Sequence, residues 1–198
     1  ATCHVISKDK KYHNKAISDG LSSTESIDER KNCISCHLRD ESGVDRFSNA
    51  IGEDGKEDPF HLNTSTVLNS SLAKYLTWSA EERSVEDEAG LSITSMYKMN
   101  MQADMLEKRL RKDAEYVKKF NKAFENNSSA SSVNFNNIQE AIGAYVRTLL
   151  TRGAYDEFLD GNNSAMSTQA KKGLANFINL GCKGCHAGMS VGGQVIEK

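Results

Sequence analysis

The chain has 198 residues and a net charge of −2, with 38% hydrophobic and 7% aromatic residues and a mean hydropathy of −0.57. There is no basic excess to neutralise phosphates, which argues against nucleic acid as a partner. No apolar run approaches the roughly 18 residues of a membrane span. No signal peptide is visible either, so we expect an exported protein to be represented here in its mature form.

The N-terminal segment contains an isolated cysteine, Cys3, followed by His4 in "ATCHV". One more cysteine before Ala1 would complete a C-x-x-C-H motif, the attachment signature of haem c. Two interpretations stay open: a leftover thiol beside a surface histidine, or a third haem site. In the second case the first cysteine lies outside this sequence, or a single thioether holds the haem.

Two complete C-x-x-C-H motifs follow, "CISCH" at 33–37 and "CKGCH" at 182–186. The spacing suits haem c, because two thiols add to the haem vinyl groups and the next histidine reaches the iron from the same turn. A zinc site made of both pairs and two redox dithiols are the alternatives. Neither alternative explains why a histidine follows the second cysteine of each motif. The predicted attachment residues are Cys33, Cys36, Cys182 and Cys185.

Between the motifs, residues 38–60 combine Gly, Asp and Asn with the only proline, which predicts a loop. A short helix capped by Thr or Ser is predicted within 64–76. A longer helix is predicted over 101–124, where apolar side chains recur at near-helical spacing. These side chains are Met105, Leu106, Leu110, Val117, Phe120 and Phe124.

The second half begins with a low-complexity loop at 126–137. The clearest helix follows at 136–152, with one apolar face, and 160–166 interrupt the chain again. A final helix is predicted from Ser167 or Thr168 to Gly181, just before the second motif. No β alternation of any length is present, so the sequence predicts an all-α protein.

From about residue 14 onward the chain resembles the bacterial dihaem cytochrome c peroxidases and their MauG-type relatives. The blocks "NTSTVLNSSLAKYLTWSAEERSVEDEAG", "IQEAIGAYVRTLLT" and "KKGLANFINLGCKGCHAGMSVGG" follow the first motif in the family's order. The resemblance implies cytochrome-c-like helical domains with one haem each. It implies an N-terminal haem domain at 14–160 and the start of a second at 161–198. The Cys3-His4 pair suggests in addition that 1–13 are a remnant of an upstream haem segment.

The resemblance also assigns roles to single residues. His37 and His186 correspond to proximal iron ligands, and His4 would play that part if Cys3 binds a haem. His61 corresponds to a removable distal ligand of the N-terminal haem, with a surface loop histidine as the alternative. Trp78 corresponds to a tryptophan associated with the electron path between haems, with a core residue as the alternative. Asn63 corresponds to an asparagine that helps hold a bridging calcium.

The first departure from the family concerns peroxide chemistry. The family uses a Glu and a Gln beside the N-terminal haem, and the corresponding residues here are Lys98 and Glu88. Peroxide cleavage needs a group that accepts and returns a proton, which a protonated lysine cannot do. Ser65 also replaces a family proline, and "WSAEE" replaces "WDGRA". These differences argue against peroxidase activity.

The second departure concerns the C-terminal haem pocket. In the family the chain continues well past the second motif and supplies a Met ligand and calcium ligands, whereas only "AGMSVGGQVIEK" follows here. Met189 is too close to His186 to reach the opposite haem face. The family gives no such role to Met96, Met99, Met101 or Met105. We therefore expect a fragment of a longer protein with an incomplete second domain, or a pocket closed by another chain.

Three functions follow as hypotheses. The first is electron transfer by hopping between two or three haems c outside the cytoplasm, in the periplasm of a bacterium. Ligation through His37 and His61 would give a low potential, and a Met ligand a higher one. The partners would be small redox carriers, other cytochromes, further copies of the chain or a larger redox complex. The second is a peroxidase that reduces hydrogen peroxide to water, and the third a structural haem subunit of a redox complex.

Overall fold

The structure is a computed structural model and describes residues 33–38, 42–45, 47–124 and 131–192. Cys3, His4 and the whole of segment 1–13 lie outside the described residues. The helices are α1 Cys33–Cys36, α2 Val85–Thr94, α3 Ala103–Arg111, α4 Ala114–Ala123, α5 Phe135–Val146, α6 Ala154–Leu159 and α7 Thr168–Asn179. Two 3-10 turns lie at Ser70–Leu72 and Cys182–Gly184. The all-α prediction is confirmed, since the described residues form helices and only isolated β-bridges.

Side-chain caps define where four of these helices begin. A side-chain oxygen at each N-cap accepts hydrogen bonds from backbone N–H groups of the first turn, which have no partner within the helix. The capping residues are Ser84 of α2, Asp113 of α4, Asn134 of α5 and Ser167 of α7. The predicted start of the last helix is thereby confirmed.

Three predicted helix boundaries differ from the structure. The helix expected over 101–124 is divided into α3 and α4, because Asp113 adopts an extended backbone and caps the second helix. The helix expected within 64–76 is limited to a 3-10 turn that follows Asn69, whose φ is 58°. The helix expected over 136–152 ends at Val146.

The hydrophobic core lies between α2, α4 and α5. Its buried side chains are Ile93, Phe120, Val133, Ile138, Ala141 and Ile142. The helices α2 and α5 approach closely where each carries a glycine. A Cβ at Gly143 would overlap the Glu86 carboxylate, and one at Gly90 would overlap the Gln139 amide. The close approach lets Arg147, at the C-terminus of α5, donate hydrogen bonds from two N–H groups to the Glu86 carboxylate. These hydrogen bonds lower the pKa of the Glu86 carboxyl.

Substituting Ile138 by Ala is expected to lower the free energy of unfolding by about 2–5 kcal/mol, because the lost side chain leaves a cavity in the core. Ile138 is only 1% exposed. Leu150, 52% exposed, provides the matched control, and Leu150→Ala should change stability by no more than about 0.5 kcal/mol. Urea unfolding followed by circular dichroism measures both, and equal losses would show that Ile138 does not anchor the core.

Candidate haem-binding sites

The first motif forms one turn of helix that places its two cysteines and its histidine together. His37 N–H donates to the Cys33 carbonyl at 3.0 Å and so continues the turn of α1. The His37 Nδ1 lies 3.1 Å from the Gly43 carbonyl oxygen. A proton on Nδ1 fixes the ring and leaves Nε2 as the free ligand atom. Gly43 has φ 76°, and a Cβ there would approach Thr66 Oγ1 to 2.8 Å, so a glycine is required to present this carbonyl.

The electrostatics of the first motif favour a neutral ligand set. Burial lowers the pKa of His37, so the ring is neutral at pH 7 and its lone pair is available to iron. Burial also raises the pKa of the Cys36 thiol to about 11, with contributions from Asp45 and Cys33. A zinc site would require this buried thiol to ionise. A thioether carries no charge, so the motif fits covalent haem better than it fits zinc.

The second motif repeats this local geometry. His186 N–H donates to the Cys182 carbonyl at 2.9 Å, and Nδ1 of His186 lies 3.3 Å from the Val191 carbonyl oxygen. Val191 has φ 51°, so the acceptor residue is in the left-handed region, as Gly43 is. Both histidines are thus oriented by the same kind of backbone contact.

Several exposed apolar side chains lie close to the second motif in the chain. The Phe177 ring lies 5.7 Å from the His186 ring. Exposed apolar side chains cluster along the same stretch of chain: Ile178, Leu180, Met189 and Val191. The described residues bring together no group of three or more His, Cys, Asp or Glu that could hold a metal ion. The two C-x-x-C pairs therefore do not form one zinc site.

The segment after His61 is fastened to the loop that follows the first motif. His61 is exposed and has φ 55°, and its N–H donates to the Asp58 carbonyl at 3.0 Å. Three residues later, the buried Thr64 hydroxyl donates to Asp45 Oδ2 at 2.6 Å. Asp45 acts electrostatically on His37. One carboxylate therefore links the loop that follows His37, the predicted proximal ligand, to the segment that carries the predicted distal ligand.

Trp78 and Asn63 contact each other, and both are exposed rather than part of the core. The Trp78 indole N–H donates to the Asn63 carbonyl oxygen at 3.0 Å. Trp78 is 61% exposed, so it does not belong to the core. The Asn63 residue is exposed as well, and the calcium role predicted for it stays a prediction.

Glu88 and Lys98 form one hydrogen-bonded cluster with Ser92. Lys98 Nζ lies 2.8 Å from Glu88 Oε1 and 3.1 Å from Ser92 Oγ. The Ser92 hydroxyl donates to the same Glu88 oxygen at 2.8 Å. Glu88 Oε2 is buried and has no hydrogen-bond partner among the described residues. Both charged groups act electrostatically on His37, so the cluster lies beside the first motif.

Sequence reasoning missed Ser92, Asp45 and Gly43 as site residues. Ser92 follows Glu88 by four positions on α2, and this spacing places two side chains on one helix face. This spacing is the only feature of the sequence that indicates the contact between Glu88 and Ser92. Nothing in the local pattern indicates the Thr64 contact of Asp45, which spans 19 residues.

Comparison with known proteins identifies the family. Residues 12–164 match the profile of the di-haem cytochrome c peroxidases. The chain belongs to this family. It is 32% identical over 163 residues to cytochrome c551 peroxidase of Pseudomonas aeruginosa, covering 82% of this chain and 46% of that protein. It is 29% identical over 159 residues to the methylamine utilization protein MauG of Methylophilus methylotrophus, covering 78% of this chain and 46% of that protein.

A solved structure shows the same fold. One such match is a MauG-like protein associated with microbial copper homeostasis, with a TM-score of 0.67 and 23% sequence identity. It covers 87% of this chain and 52% of that one. The chain thus spans about half the length of the relatives that it matches.

Membership of the di-haem cytochrome c peroxidase family confirms the resemblance that the sequence suggested, and it implies haem c as the cofactor. The number of haems and the calcium ion stay predictions. Within the described part of the chain, no helix is long and apolar enough to cross a membrane.

Proposed function

We propose that the chain is a two-haem electron-transfer unit of this family. Cys33, Cys36 and His37 would hold one haem, and Cys182, Cys185 and His186 the other. The observation that carries the proposal is the shared geometry of the two motifs, in which each histidine is fixed through Nδ1 with Nε2 left free. Bound haem c supplies a reversible one-electron couple. The segments 14–160 and 161–198 would then form two haem domains, with Asn63 contributing to a calcium site between them.

The chain's own residues would set the redox behaviour of the first site. Asp45 is buried and accepts hydrogen bonds from the Thr64 hydroxyl and the Phe47 N–H. A fixed negative charge beside the proximal ligand stabilises the more positive, oxidised state. The Lys98 charge opposes this effect but is balanced by Glu88 at 2.8 Å. This arrangement favours a low potential at the first site.

The setting proposed for this activity is outside the cytoplasm, in the bacterial periplasm. The matched relatives are bacterial, and haem c is normally attached outside the cytoplasm. The partners would be small redox carriers or other cytochromes.

The purified native protein is expected to show two covalent haems, each with its own one-electron midpoint potential. Intact mass gives the haem count, and a potentiometric titration followed by absorbance gives the potentials. A third haem would assign Cys3 and His4 as a further site. A protein without covalent haem, or with haems that dithionite cannot reduce, would contradict the proposal.

Peroxide reduction is the second candidate, and one observation favours it. Glu88 Oε2 is buried, lies near His37 and has no hydrogen-bond partner in the part of the chain that the structure describes. A carboxylate oxygen is therefore available there as a proton acceptor even though Lys98 replaces the family glutamate. One observation opposes peroxide reduction: Lys98 Nζ and Ser92 Oγ both donate hydrogen bonds to the other oxygen of Glu88, Oε1.

We expect the reduced, calcium-supplied holoprotein to show no peroxide turnover, because Lys98 cannot act as the base. Peroxide consumption measured with a chemical electron donor checks this. Turnover that survives Lys98→Ala and falls at least about 100-fold in Glu88→Gln, the usual weight of a general base, would establish the peroxidase instead.

A further inference from the structure

The loop that carries His61 is closed by its own hydrogen bonds. Residues 50–62, here called the His61 loop, are joined at their two ends by the bond from the Ala50 N–H to the Leu62 carbonyl at 2.8 Å. The Asp58 N–H donates to the Ala50 carbonyl at 2.8 Å, and the His61 N–H donates to the Asp58 carbonyl at 3.0 Å. A contact that holds one point of this loop therefore restrains His61 as well.

Two backbone contacts hold the His61 loop against the turn that follows α2. The Glu53 N–H donates to the Lys98 carbonyl oxygen at 2.7 Å. Beside this bond, Gly52 lies so close to the Tyr97 carbonyl that a Cβ on the glycine would come within 2.8 Å of the oxygen. A side chain at position 52 would therefore push the loop away from the turn.

A contact between two rings holds the far end of the same loop. Phe60 directly precedes His61, and its ring meets the Tyr97 ring edge to face, with centroids 5.8 Å apart and an interplanar angle of 84°. Aromatic pairs favour this arrangement. The loop is thus attached to the residue pair Tyr97 and Lys98 at both of its ends.

The side chain of Lys98 connects this turn to α2. Its Nζ donates to Glu88 Oε1 at 2.8 Å and to Ser92 Oγ at 3.1 Å, ten and six residues earlier in the chain. Hydrogen bonds between an ammonium and a carboxylate are roughly twice as strong as those between neutral groups. Lys98 therefore holds α2 with its side chain and the His61 loop with its carbonyl.

The ion pair lies beside the predicted proximal ligand, and the surroundings of Glu88 make the pair hard to replace. Both Glu88 and Lys98 act electrostatically on His37. Glu88 Oε2 is buried without a hydrogen-bond partner in the described segments. A partly buried carboxylate that also loses its cation is strongly unfavourable. We therefore expect the turn to move away from α2 and admit water when Lys98 is replaced.

We propose that Lys98 is a positioning residue of the first haem site, which holds the His61 loop against α2 and so keeps His61 at the sixth position of the iron. The inference rests on the proposed electron-transfer function and deepens it. A ligand set that does not change keeps the potential of the site constant and closes the iron to small molecules. The removable ligand implied by the family resemblance is thus held in place in this chain.

Hydrogen–deuterium exchange of the oxidised holoprotein measures the hold on the loop directly. In Lys98→Met, the amides of the His61 loop should exchange about tenfold faster, the weight of one hydrogen bond to a charged group. The matched control is Lys56→Met, because Lys56 pairs with Asp54 inside the same loop. This control should leave the exchange of the Glu53 and His61 amides unchanged. Peptides of α5 should exchange as in the wild type in both variants, which reports an intact fold.

Imidazole binding shows whether movement of the loop reaches the iron. Imidazole is largely uncharged at about pH 8, and stopped-flow absorbance gives its association rate. The phase that His61→Gly accelerates belongs to the first haem. Lys98→Met and Glu88→Met should each accelerate this phase about tenfold, whereas Lys98→Arg keeps the ion pair and should bind at nearly the wild-type rate. A pure charge effect would instead shift the two methionine variants in opposite directions, because one removes a positive charge and the other a negative one.

Three results would overturn the positioning role of Lys98. The first is unchanged exchange of the His61 loop in Lys98→Met, and the second is opposite changes of the imidazole rate in Lys98→Met and Glu88→Met. The third is faster exchange without faster imidazole binding, since the loop would then move without releasing His61. Intact mass separates this inference from the function on which it rests. A protein that carries its haems and gives one of these results refutes the role of Lys98 alone, whereas a protein without covalent haem refutes the electron-transfer function.

Discussion

A variant in which Cys33 and Cys36 are both serine is expected to carry one covalently bound haem instead of two. The serine hydroxyl does not form the thioether, and His37 alone cannot retain a haem through denaturation. Intact mass under denaturing conditions gives the count directly. The matched variant, Cys182→Ser/Cys185→Ser, should lose the other haem and keep the first. Two haems remaining in either variant would contradict the assignment of that motif.

The two variants are also expected to differ in stability. The first motif is partly buried, and its loop is tied to Thr64 through the buried Asp45. The second motif is exposed throughout. Loss of the first haem should therefore lower the melting temperature more than loss of the second, which circular dichroism measures. An equal decrease in both variants would show that the first haem is no better integrated into the fold than the second.

Treatment with a zinc chelator tests the alternative in which the cysteines bind zinc instead of haem. Because burial raises the pKa of Cys36 to about 11, the thiol is protonated at neutral pH and is a poor zinc ligand. Treatment with TPEN, a chelator that binds zinc far more tightly than calcium, should therefore leave mass, absorbance and melting temperature unchanged. A protein that unfolds on chelation would support the zinc alternative.

The sequence was most informative where local chemistry determines structure. Each C-x-x-C-H motif is a single turn whose histidine N–H bonds the first cysteine carbonyl, so spacing alone predicts the local arrangement. Ser167 caps α7 as predicted, because a hydroxyl at an N-cap needs only its own helix. The all-α class follows from the same local patterns.

The sequence was least informative where distant residues decide the outcome. The helix α2 was not predicted. Its close approach to α5 occurs at Gly90 and Gly143, which carry no hydrophobic signal. The division of the helix over 101–124 at Asp113 was missed because the apolar spacing continues across the break.

The candidate site shows the same limit. The family resemblance indicated Glu88 and Lys98 as separate positions, but the structure makes them one cluster with Ser92. The Glu88 and Lys98 charges neutralise each other, so the net charge beside His37 is smaller than the lysine alone would give. No periodicity encodes a contact between a helix and the turn that follows it.

Substituting His61 by glycine is expected to remove the sixth ligand from one haem while keeping its loop intact. The φ of 55° at His61 is accessible to glycine without strain, whereas alanine there would disturb the loop as well. The absorbance of the first haem should change from low-spin to high-spin, and added imidazole should restore the low-spin spectrum. Asn100→Gly is the matched control, since Asn100 also has a left-handed backbone, with φ 46°, and is exposed.

This experiment distinguishes an axial ligand from a surface histidine. Replacing an iron ligand changes the electronic state of the metal, and its potential follows the ligand set. Replacing a surface residue leaves both unchanged. A low-spin spectrum that persists in His61→Gly would place the sixth ligand elsewhere, and the fastening of the His61 segment to Asp45 would then serve the fold alone. A spectrum that becomes high-spin and recovers with imidazole would make the Thr64–Asp45 bond the feature that holds both ligands of one iron in register.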